Sequence, residues 1–96
     1  MSRQEFDASL AGAAPPPSFG LELASLWWIS NNQWQRAHDL IDQASGADRA
    51  WVHAYLHRIE GDEANARYWY LRAGRDRPSY GLSQERDVLL DYFLSK

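Results

Sequence analysis

Between Ser18 and Lys96 the chain is cut at Asn31-Asn32, Gly46, Gly61-Asp62 and Gly74 into stretches of helical length. This punctuation restricts the fold more than any other feature of the sequence. A glycine or asparagine just past an apolar-periodic run ends a helix, and a serine or aspartate just before one starts the next. Ser18 is placed to cap "SFGLELASLWWIS", which is apolar nearly all round and so needs cover on more than one side. "QWQRAHDLIDQASG" follows, with Trp34, Ala37, Leu40, Ile41 and Ala44 on one stripe and Gly46 as its stop. Asp48 offers a cap for "RAWVHAYLHRIE", and Gly61 ends that helix. Asp62 caps "EANARYWYLRA", which Gly74 ends. After the loop "RDRPSYG", Ser83 caps "QERDVLLDYFLSK", with Glu85 in its first turn.

The result is five helices and no strand signal. The links inside each pair are one or two residues long, which forces consecutive helices antiparallel. The predicted fold is all-α: two antiparallel helix pairs stacked on each other, with a C-terminal helix closing the open end over residues 18–96. Residues 1–17 lack apolar periodicity and end in Pro15-Pro16-Pro17. They read as a disordered arm with a short stiff spacer before the first helix. Their A-G-A string has no apolar stretch ahead of it, because Glu5 and Asp7 stand there, so a signal peptide is not expected.

Bulk composition narrows the function classes. A chain of 96 residues has room for one domain, and five tryptophans and five tyrosines supply large buried area for a small core. A net charge of −3 gives no global attraction to nucleic acid or anionic lipid. With no cysteine, disulfides, thiolate metal sites and a cysteine nucleophile are excluded, and a reducing, cytoplasmic setting is the expectation. No apolar run approaches the ~18–20 residues needed to span a bilayer.

An internal correspondence appears when the second and fourth helices are aligned. Ala37 meets Ala66, Ile41 meets Tyr70, Ala44 meets Ala73, and upstream Ser25 meets Ala54. Small residues let two helices approach, and a large residue one turn on fills the space beside them. With Ala54, Gly61-Asp62, Ala66, Tyr70, Ala73 and Pro78, the second pair resembles a tetratricopeptide-type helical hairpin. The aligned alanines stand closer in sequence than the ~34 residues of that repeat, which predicts a compact bundle instead of a regular superhelix. The strings W-V-H-A-Y-L-H-R-x-E-G-D and N-A-x-Y-W-Y-x-R-A-G also resemble a family of small bacterial and fungal proteins. That resemblance carries no catalytic residue with it.

Two candidate sites stand out. On the fourth helix, Ala64, Tyr68 and Leu71 form a stripe separate from Ala66, Trp69, Tyr70 and Ala73. If the C-terminal helix does not cover it, its aromatics are natural interface anchors. Trp27, Tyr68 and Leu71, with Arg67 and Arg72 at the rim, are therefore the expected surface for a protein partner or a homo-oligomer. This interaction or adaptor role is the principal expectation. The competing class is a small metal- or ligand-binding protein, with an enzyme among its forms. His53 and His57 lie one helical turn apart and Glu60 follows one turn on, a spacing that can hold zinc or another divalent ion. His38 is a further candidate that the sequence does not place. The alternative for these histidines is hydrogen bonding to neighbouring helices. Arg67, Arg72, Arg75 and Arg77 interleave with aromatics, but they point to different sides and acidic neighbours dilute them. A nucleic-acid surface is not expected.

Overall fold

The computed structural model describes residues 1–43 and 45–96. Among these residues six helices run in chain order: α1 (Arg3–Ser9), α2 (Leu21–Ser30), α3 (Trp34–Ile41), α4 (Ala47–Ile59), α5 (Glu63–Ala73) and α6 (Leu82–Leu94). Among the described residues there is no strand, and no helix is long and apolar enough to cross a membrane. α2 packs along α3 and α4 along α5. α4 also touches α2, α3 and α6, which makes it the central element. The radius of gyration, 12.4 Å, matches the roughly 12.5 Å of a compact chain of this length, as the short alanine spacing predicts.

The hairpin turns follow the local chemistry of the sequence. Asp62 caps α5, its carboxylate accepting the Asn65 amide at 3.1 Å, and Gly61 takes a left-handed φ of 85° beside it. In the first hairpin Asn32 does the glycine's work with φ 60°, a conformation asparagine tolerates better than other side chains. The aligned small residues are all buried where they are described: Ser25, Ala37, Ala54, Ala66 and Ala73. The Ser25 hydroxyl donates to the Ala37 carbonyl at 2.9 Å, so the close approach of α2 and α3 is also hydrogen-bonded. Ala44, the remaining aligned residue, lies outside the described residues.

Several helix starts differ from expectation by a few residues. Gly20, Gly46 and Gly81 hold the N-cap positions expected for Ser18, Asp48 and Ser83, and none makes a side-chain cap bond. Asp48 instead sits in the first turn of α4, where a negative charge meets the helix dipole.

The larger correction concerns residues 1–17, expected to be disordered. Ser2 and Glu5 form a reciprocal capping box, and α1 follows it. Phe6 is fully buried and stacks on Phe19 at 5.9 Å. The Trp27 indole donates to Ser9 Oγ at 3.2 Å, and the Asn31 amide donates to the Leu10 carbonyl at 3.2 Å. α1 therefore supplies the extra cover that the all-round apolar α2 requires.

Between α4, α5 and α6 lies a buried polar network. Glu85 is fully buried and takes the Arg58 guanidinium at 2.8 Å, the Tyr70 hydroxyl at 2.7 Å and the Trp51 indole N–H at 3.3 Å. Arg58 also donates to the Tyr80 carbonyl, tying in the α5–α6 loop. Burial first, and then the hydrogen bond to Glu85 and its charge, raise the Tyr70 hydroxyl well above the usual tyrosine range.

Candidate metal centre

Three imidazoles converge where α3 crosses α4. His53 and His57, one turn apart on α4, both face α3, and α3 returns His38 between them. The Nε2 atoms of His38 and His53 stand 3.1 Å apart. One ligand nitrogen from each of the three rings lies within 4.8 Å of the others. Four ligands at about 2.0–2.1 Å around a tetrahedral ion stand roughly 3.3 Å from one another. The His38–His53 edge is already at that length, and the edges to His57 are no longer than 4.8 Å.

Aromatic walls hold the rings. Trp34 stacks on His38 at 4.7 Å, and its indole N–H donates to the Leu56 carbonyl at 2.7 Å. Trp69 of α5 stacks on His53 at 3.9 Å. His53 and His57 are buried and His38 is partly open, so solvent reaches the cluster from the α3 side. Burial, followed by the neighbouring His38 and His57, pushes the His53 imidazole down to about 4. His53 is thus neutral at physiological pH, the form that ligates metals. The short Nε2–Nε2 contact requires one ring to donate and the other to accept.

Glu60 does not take the place the sequence suggested for it. Its Oε1 lies 2.5 Å from His57 Nδ1, which leaves Nε2 of that ring for a ligand role. A carboxylate behind a histidine fixes its tautomer and raises its basicity. The third nitrogen comes from His38, which the sequence named but did not place. Asp42, which the sequence reading did not single out as a ligand, follows α3 with its Oδ1 3.7 Å from His38 Nε2. The signal that would have found it is the His38–Asp42 spacing, the same one-turn step as His53–His57.

The expected partner surface is divided. Trp27 is 1% exposed beneath α1, which overturns its choice as an anchor, and the backbones of α2 and α5 do not come within 8 Å of each other. Tyr68 and Leu71 are 52% and 80% exposed on α5, beside the exposed Arg67 and Arg72. The Arg72 guanidinium lies over both the Tyr68 and Trp69 rings. α6 packs on α1, α2 and α4, and so leaves this stripe open. Arg75 covers the Trp51 ring at 3.5 Å, and Arg77 pairs with Glu63 at 2.8 Å, so both are engaged within the chain.

Compared with known proteins, the chain matches no family model, no curated protein and no solved structure.

Proposed function

We propose that this domain binds a divalent transition metal through His38, His53 and His57. The observation that carries the reading is the meeting of three imidazoles from two helices, with the His38–His53 edge at 3.1 Å. An all-nitrogen set of this kind suits zinc, copper(II) or nickel, and does not suit calcium or magnesium, which take oxygen ligands. The reading assigns metal binding and no reaction. Metal analysis of protein purified without a histidine tag tests it. Near-stoichiometric zinc that disappears in His53→Ala supports the reading, and a metal-free protein that also ignores added zinc refutes it.

A second reading is supported by the exposure of Leu71 and Tyr68 on one face of α5. Large apolar side chains clustered in the open, with arginines at the rim, are the composition of interface cores. In this reading Arg67, Tyr68, Leu71 and Arg72 receive a protein partner or a second copy of the chain, and the two hairpins are a tetratricopeptide-like scaffold beneath them. Sedimentation across a wide concentration range tests the self-association form. Association that Tyr68→Ala weakens supports it, and a monomer throughout counts against it.

A further inference from the structure

We propose that Asp42 is the fourth ligand of the histidine centre, closing it as a three-histidine, one-carboxylate site. This rests on the metal-binding reading above. Each of the two helices then contributes one pair of ligands a turn apart: His38 and Asp42 from α3, His53 and His57 from α4. Residues at that spacing share a helix face. Asp42 keeps the helical backbone at the end of α3, with φ −60° and ψ −43°, so its side chain stays in register with His38.

His38 Nε2 is the shared corner. It stands 3.1 Å from His53 Nε2 and 3.7 Å from Asp42 Oδ1, both near the roughly 3.3 Å edge of a tetrahedral ligand set. The Asp42 carboxylate does not yet join the three rings in a set whose ligand atoms all lie within 4.8 Å, so closing the site takes an inward turn of its side chain. The Asp42 side chain is 44% exposed, and its contact with the Gln43 amide is a long 3.4 Å, so turning the carboxylate inward costs little. The other carboxylates grouped with His57 are committed elsewhere. Glu60 holds His57 Nδ1 at 2.5 Å, and Asp62 caps α5 through the Asn65 amide.

Charge supports the same assignment. A divalent ion among three neutral imidazoles places two positive charges in a largely buried niche. Asp42 in contact with the ion and Glu60 behind His57 bring the group to neutrality, which lowers the cost of holding it there. A site with four protein ligands has no coordination position left for water. The ion is then held as a staple between the α2–α3 and α4–α5 hairpins, with no Lewis-acid chemistry on a bound substrate.

Cobalt(II) titration of the full-length, untagged, metal-free protein tests this, because tetrahedral cobalt has an intense visible spectrum. The wild type is expected to give that spectrum and to leave it unchanged on adding azide. Asp42→Ala and Asp42→Asn are expected to bind cobalt at least about tenfold more weakly, with a spectrum that azide now shifts. An azide-sensitive wild-type spectrum, or an Asp42→Ala protein with unchanged affinity and spectrum, overturns the Asp42 assignment and leaves the three-histidine reading standing. A wild type that takes up no cobalt overturns both.

Discussion

The carboxylate of Glu85 and the guanidinium of Arg58 meet at 2.8 Å with both side chains buried, and they join α4 to α6 at the centre of the molecule. The Glu85 carboxylate is well satisfied, since Tyr70 and Trp51 also donate to it, while Arg58 Nε is buried without a partner. Breaking such a pair from one side leaves a buried charge without its partner. Glu85→Ala is expected to cost about 3–5 kcal/mol, a large part of the stability of a domain this size. Chemical denaturation reads this directly. A loss below about 1 kcal/mol would show that the network relaxes to reach solvent.

Tyr70 gives the fold a dependence on alkaline pH. Its hydroxyl titrates higher in the folded state than the ordinary value of 10.0, through burial and then through Glu85. A raised folded value means the native state holds a proton that the unfolded state releases. The associated stability is fully present below about pH 10 and is lost as pH rises from there toward the folded value. Urea midpoints should therefore fall above pH 10, with unfolding and tyrosinate absorbance appearing together. Tyrosinate absorbance from every tyrosine near pH 10 in folded protein would contradict this.

Phe6 measures how far the N-terminal helix belongs to the core. Replacing it with alanine removes a fully buried ring and is expected to cost about 3–5 kcal/mol. It should also unseat α1 and move Trp27 fluorescence toward that of solvent-exposed indole. A variant with wild-type stability would mean that α1 adds nothing to the fold.

α1 also marks where sequence reading stops. Gly61-Asp62 and Gly74 announced their turns because capping and left-handed backbone are local chemistry. Ala37 and Ala66 announced the helix contacts because close approach demands small residues. A seven-residue helix shows no periodicity, and it is held by the long-range burial of Phe6, though its Ser2–Glu5 capping box was legible. Trp27 lies on a helix apolar all round, so no polar face fixed its direction. Glu85 looked like an ordinary first-turn acid, because its partners Arg58 and Tyr70 meet it only through tertiary packing. In the candidate centre the His53–His57 step was visible along one helix. The arrival of His38, and the turn of Glu60 toward His57, depend on how α3 crosses α4.

Glu60 should tune the centre without ligating the ion. Its hydrogen bond to His57 Nδ1 fixes that ring for coordination through the other nitrogen. Glu60→Gln is expected to weaken zinc binding about 10–100-fold while preserving one ion per chain. A variant with unchanged affinity would detach Glu60 from the site.

The most direct test of the metal centre is calorimetric titration of zinc into metal-free, untagged protein, run beside His38→Ala, His53→Ala and His57→Ala. The three-histidine centre predicts one zinc per chain in the wild type and a severe loss of affinity in each of the three variants. A wild type that takes up no zinc, or that binds it no better than the three variants, would contradict it and leave the cluster as a hydrogen-bonded element of the core.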